Sequence, residues 1–169
     1  MIGNEIRVVK TSEHAEVLKL WENSVRASHD FITETDIEDY RLLISNSLWG
    51  MEVFCVENAN QMQGFIALAD RKVQLLFVHP DVFGQGIGKK LMHFAIQHWQ
   101  AWMVDVNAQN KRAVMFYLSL GFEIHEKFPV DGAGKPYPVW SLKLPEHMAN
   151  HNTWKSWKKW LYFNFKSTV

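Results

Sequence analysis

The chain has 169 residues, 47% of them hydrophobic and 21% charged, and its 18 Lys and Arg balance 18 Asp and Glu. That length fits one domain whose core forms without disulfides or metals, and the balanced charge excludes a whole-molecule field pulling it onto nucleic acid or an acidic membrane. Cys55 is the single cysteine, which excludes an internal disulfide and a multi-cysteine zinc site and suits a reducing, cytoplasmic setting.

Residues 1–10 carry Glu5, Arg7 and Lys10 without a signal-type apolar stretch, and no apolar run reaches the length of a spanning helix. Export by that route and a transmembrane anchor are therefore not expected. Residues 5–9 alternate weakly and predict a first strand. Ser12 is placed to cap a helix whose first turn holds Glu13 and Glu16 against the positive end of its dipole, with Val17, Leu18, Trp21 and Val25 on the buried face. After the loop 27–32, a second helix over 36–44 sets Ile37, Tyr40, Leu43 and Ile44 at helical spacing. Residues 51–56, 62–69 and 73–78 read as three successive strands, the last ended by Pro80.

Ile87, Leu91, Phe94, Ala95 and Trp99 then hold a helical period, and 102–106 is a short strand, so this stretch is a βαβ crossover. Asn110 can cap a further helix with Ala113, Val114, Tyr117 and Leu118 inward and Gly121 at its left-handed end. Strands at 122–128 and 137–144 complete an α+β chain in the order β-α-α-β-β-β-α-β-α-β-β. Residues 1–148 form the main domain and 149–169 a basic aromatic extension. His151 onward holds Lys155, Lys158, Lys159 and Lys166 and no acid. Its Trp154, Trp157 and Trp160 leave open a helix or a helix followed by a strand. The reading that they cover apolar surface of this domain, or of a second subunit in a homodimer, outweighs membrane contact. Four lysines do not predict nucleic-acid binding.

The sharpest local signal is strand, glycine cluster, helix over 78–91. Backbone N–H groups in such a turn can surround phosphate, because glycine allows close approach and the helix start adds positive potential. It is not a Walker A loop, since Phe83 stands where a glycine belongs and Lys90 follows Lys89, and it is not a Rossmann fingerprint, since Lys89 replaces the third glycine. The competing reading is an ordinary tight turn before a helix.

The segment Phe83, Gly84, Gln85, Gly86, Ile87, Gly88 resembles the pyrophosphate loop of the GNAT superfamily of N-acetyltransferases, with Phe83 in place of the usual Arg or Gln. Asn110, Ala113, Phe116, Tyr117, Gly121 and Phe122 match a second stretch of that family. Ser28, His29, Asp30, Phe31 and, later, Gly134, Lys135, Pro136, Tyr137, Pro138 resemble small bacterial members, so the likeness covers about residues 5–144. It implies a mixed, largely antiparallel three-layer sheet with helices on both faces, and transfer of acetyl from acetyl-CoA to a primary amine of a protein or small molecule. On the same resemblance the cofactor-binding set is Phe77, Val78, Phe83, Gly84, Gln85, Gly86, Ile87, Gly88, Lys89, Asn110 and Tyr117, with no metal.

Tyr117 is the expected proton donor to the leaving thiolate, since a phenol donates a hydrogen bond without ionising at neutral pH. A backbone N–H along Leu76, Phe77 and Val78 is the expected partner for charge on the carbonyl oxygen. No carboxylate lies between Val73 and Val78, so His29 is the preferred base, with Asp30, His79, His125, Glu126 or a water relay as alternatives. The alternative function is a noncatalytic acyl-CoA-binding or interaction module on the same fold.

Overall fold

Period-two alternation along the central strands sorts their side chains onto two faces. The computed structural model describes residues 5–149. It packs Val53, Cys55, Phe65 and Ala67 against Val17, Leu18, Trp21 and Ile37 on one face. On the other face Phe54, Val56, Ile66 and Leu68 meet Leu91, Met92, Ala95 and Val114. Cys55 is fully buried, and burial pushes its thiol up to about 11, which marks it as an unreactive core residue.

The elements are β1 (Ile6–Val8), α1 (His14–Ser28), α2 (Glu34–Ser47), β2 (Glu52–Asn58), β3 (Gln61–Ala69), β4 (Lys72–Val78), α3 (Ile87–Trp99), β5 (Met103–Asn107), α4 (Lys111–Ser119), β6 (Glu123–Phe128), β7 (Val139–Lys143) and the single turn α5 (Glu146–Ala149). The described strands form one sheet in the order β1-β2-β3-β4-β5-β7-β6, with every pair antiparallel except β4 and β5. Helices α1 and α2 cover one face and α3 and α4 the other, which is the three-layer α+β arrangement expected. No helix among the described residues is long and apolar enough to cross a membrane. The extension beyond residue 149 lies outside the described residues.

Two local expectations are corrected. Ser12 does not cap α1: residues Thr11–Glu13 form a 3-10 turn, and the Glu13 carboxylate accepts the Lys10 N–H at 2.7 Å. Arg7 holds that carboxylate over the turn, at 2.7 and 3.0 Å, so Glu13, not Ser12, stands at the start of α1. Leu43 is exposed, at 55%, and is not part of the α2 packing stripe. Six residues beyond Ile37 it is rotated about 120° from it on a helix of 3.6 residues per turn, while Ile44 returns to the stripe and is buried.

The feature that positions chemistry is the parting of β4 from β5. They pair only at Lys72 with Met103 and Val73 with Val104. Gln74 sits at a register shift against β3, where the strand bends. Beyond it β4 runs on with β3 while β5 continues with β7, so a notch opens alongside residues 75–78.

Candidate active site

β4 ends at Val78, and His79 Nδ1 accepts the Asp81 N–H at 3.3 Å, capping the 3-10 turn Pro80–Val82. Gly84 and Gly86 follow with φ of 80° and 82°, a left-handed conformation that L side chains avoid. A Cβ at either position would meet nothing within 4 Å, so backbone conformation selects glycine here and the space over the loop is open. Gly86 directly precedes α3, whose first N–H groups therefore face that space. Beside Phe83, which stands where the family resemblance expects Arg or Gln, the Arg112 guanidinium of α4 lies 4.7 Å over the centre of the ring.

A cavity of about 440 Å³ runs from this loop to the notch. Ten of the eleven residues expected at the cofactor line it: Phe77, Val78, Phe83, Gly84, Gly86, Ile87, Gly88, Lys89, Asn110 and Tyr117. Gln85 does not. Its N–H donates to the Val82 carbonyl at 3.3 Å and its side chain is exposed, because the turn points it away from the cavity. A second cavity of about 240 Å³ lies in the notch on the α1 and α2 side. The two share His29, Leu76, Phe77, Asn110, Ala113 and Tyr117 as walls.

Three expected residues thus meet at one junction. Asn110 caps α4, its Oδ1 accepting the Ala113 N–H at 3.0 Å. That fixes which end of the amide is which, and Nδ2 donates to His29 Nε2 at 3.1 Å. His29 Nε2 is therefore an acceptor, so the neutral ring carries its proton on Nδ1 and donates it to Ser28 Oγ at 2.8 Å. Ser28 Oγ in turn donates to the Ser24 carbonyl at 2.6 Å. Burial holds the His29 pKa below its ordinary value, against an opposing pull from Asp30. Tyr117 is buried, and desolvation pushes its phenol well above its ordinary value. Among the described residues none hydrogen-bonds its hydroxyl, and its ring packs edge-on to Phe116 and Phe122 at 5.1 and 5.9 Å.

The side-chain alternatives for the base stand outside the walls that the two cavities share. His79 caps its turn, and Asp30, His125 and Glu126 line neither cavity, the last two being exposed on β6. Arg112 and Asp131 are lining residues that the sequence does not single out, and Tyr40 is read there only as part of the packing face of the second helix. Only Asp131 carried a signal, standing before Gly132, Ala133 and Gly134 where an Asx turn is expected. Among the described residues no group of three or more His, Cys, Asp or Glu is arranged to hold a metal ion.

Residues 49–124 match the acetyltransferase (GNAT) domain family. The chain is 35% identical over 141 residues to the peptidyl-lysine N-acetyltransferase YjaB of Salmonella typhimurium, covering 83% of this chain and 97% of the relative. The solution structure of apo YjaB from Escherichia coli superposes with a TM-score of 0.75 at 33% identity, over 82% of this chain and 95% of that one. A more distant acetyltransferase structure from Salmonella typhimurium, yncA with acetyl-CoA bound, has a TM-score of 0.58 at 22% identity, over 85% of this chain and 95% of that one, and shares the fold.

Proposed function

The chain belongs to the GNAT N-acetyltransferases, enzymes that move an acetyl group from acetyl-CoA to an amine, and on that premise we propose that its acceptor is a lysine side chain of a protein, acetylated where the two cavities join. The observation that carries this reading is the shared wall: one cavity begins at a phosphate-type loop, the other lies in the notch, and Tyr117, His29 and Asn110 stand between them. The relatives named for peptidyl-lysine support the acceptor class.

The loop fits a polyanionic cofactor. Its left-handed glycines leave open space over the backbone, the α3 N-terminus faces it, and Arg112 and Lys89 line the same cavity. Bound there, acetyl-CoA supplies an activated acetyl thioester. Gly84, Gly86 and Gly88 would offer backbone donors to its phosphates, and Arg112, over the Phe83 ring, would add the cation.

A lysine amine has a pKa of about 10.4, so only about one in 2,500 is neutral at pH 7, and the site must take its proton. His29 is the acceptor of that proton. Burial keeps it neutral at physiological pH, and its basic nitrogen is the one that faces the junction. Protonation converts Nε2 from acceptor to donor and releases the Asn110 amide.

Charge gathering on the carbonyl oxygen meets β4. The His79 N–H donates to the Gln63 carbonyl on β3 at 2.7 Å, so by antiparallel alternation the Leu76 and Val78 N–H groups point the other way, into the notch. Donors fixed in that position stabilise an oxyanion without reorganising. Tyr117, kept protonated by burial, donates its proton to the departing sulfur and regains one from the nitrogen that has attacked, so of the two protons the ammonium loses one rests on His29 and the other replaces that given to CoA. The acceptor class is tested by incubating the protein with acetyl-CoA, an N-terminally blocked lysine peptide and small polyamines, with CoA release as readout. The reading expects the blocked peptide to be acetylated at lysine; acetylation of small amines alone would overturn it.

A further inference from the structure

The β6–β7 loop crosses the notch and is tied to α2 on its far side. Lys135 Nζ bonds Asp36 and also Asp39, the latter at 2.7 Å, and the Tyr137 hydroxyl donates to Asp36. The Thr33 N–H donates to the Tyr137 oxygen at 3.3 Å. The Gly134, Lys135, Pro136, Tyr137, Pro138 motif is thus a strap tied to α2, flanked by Asp131 and Val139, which line the smaller cavity.

That strap presents one carboxylate to the cavity. Asp131 Oδ1 accepts the N–H groups of Ala133 and Lys135 at 2.9 and 2.8 Å, which fixes the turn. Its Oδ2 accepts the Tyr40 hydroxyl, and both residues line the cavity beside Trp21, Ile32 and Phe77. The neighbouring acids are neutralised: Asp36 and Asp39 by Lys135, Asp105 by Lys72. Among the described residues no cation pairs with Asp131. A half-buried carboxylate without a counter-ion, on the wall of an otherwise largely apolar cavity, is a receptor for a cation carried on an aliphatic stem.

We propose that Asp131, held by Tyr40 and by its own turn, is the acceptor-recognising residue, receiving the lysine ammonium while the methylene stem lies along Trp21, Ile32 and Phe77. The inference rests on the lysine-acceptor reading and adds to it the group that selects a charged amine. The nitrogen is cationic in the bound ammonium and again after it attacks the carbonyl, so Asp131 favours both states alike and determines how well the acceptor binds more than how fast acetyl is transferred.

The test is steady-state kinetics of Asp131→Asn with the blocked lysine peptide. Asparagine keeps Oδ1 for the Ala133 and Lys135 N–H groups, so the turn survives while the charge is lost. The expected result is a KM raised about tenfold or more, the scale of a lost hydrogen bond to a charged group, with kcat within about twofold and CoA affinity unchanged. Unchanged KM in a variant that melts with the wild type overturns the inference alone. If the variant melts early, Asp131→Glu decides: return of the low KM supports the charge role, and a persistently high KM overturns it. A wild-type protein that acetylates no lysine peptide overturns the lysine-acceptor reading and this inference with it.

Discussion

The side-chain amide of Asn110 is committed at both ends, its Oδ1 to the Ala113 N–H at 3.0 Å and its Nδ2 to His29 Nε2 at 3.1 Å. A helix cap thereby sets the tautomer of a histidine 81 residues away in sequence. Because burial holds the His29 pKa below its ordinary 6.5, the base stays neutral into mildly acidic solution. The acid limb of kcat/KM is expected below that value, and activity falls as pH drops through it. Asn110→Asp keeps the cap but faces His29 with a carboxylate, which favours the imidazolium and should move the limb upward by about one unit or more. A pH–rate profile of both proteins checks this, and an unmoved limb would remove His29 as the base.

Gly86→Val forces a β-branched residue into a φ of 82°. The left-handed region costs an L residue roughly 1–2 kcal/mol, so the loop should relax and CoA affinity fall about tenfold. Since nothing crowds a Cβ there, the fold should survive. Titration calorimetry beside a thermal melt separates the two effects.

Arg112→Ala should weaken CoA binding and flatten its dependence on salt, because it deletes the guanidinium held over Phe83. Measuring CoA affinity at low and high ionic strength reads both changes. Equal salt slopes for variant and wild type would show that Arg112 only packs.

Much of this architecture is legible in the sequence. The apolar or alternating segments 51–56 and 62–69 mark the strands, and the helical spacing of Leu91 with Ala95, and of Val114 with Tyr117 and Leu118, marks the faces that cover them. The glycine loop and Asn110 were readable because backbone conformation and capping are local and leave local signatures. Arg112 left no such signature and Asp131 only that of its turn, since each faces the site through a partner distant in sequence: Phe83 for one, Tyr40 for the other. Leu43 misled because a single apolar side chain one step off the stripe looks, in sequence, like part of it. The splay of β4 from β5 has no residue signature of its own, and it decides where the notch lies.

The strap across the notch should loosen in acid. Lys135 first, then Tyr137 and Thr33, pull the Asp36 carboxyl down to about 2. With a folded pKa below the ordinary 3.8, its contribution is complete above that value and is lost as pH falls toward 2. Near-UV circular dichroism should report Tyr40 and Tyr137 losing their fixed surroundings in that window. In Asp36→Asn the acid step should vanish and the signal should already be weakened at neutral pH.

The central claim is that Tyr117 donates the proton that lets sulfur leave at the junction of the two cavities. Single-turnover acetylation of the blocked lysine peptide by Tyr117→Phe, with saturating acetyl-CoA, tests it most directly. The ring and its contacts with Phe116 and Phe122 remain, so CoA affinity and melting temperature should hold while the rate falls about 10² to 10⁴-fold. A folded variant that binds CoA normally and transfers acetyl within about tenfold of the wild-type rate would contradict the account.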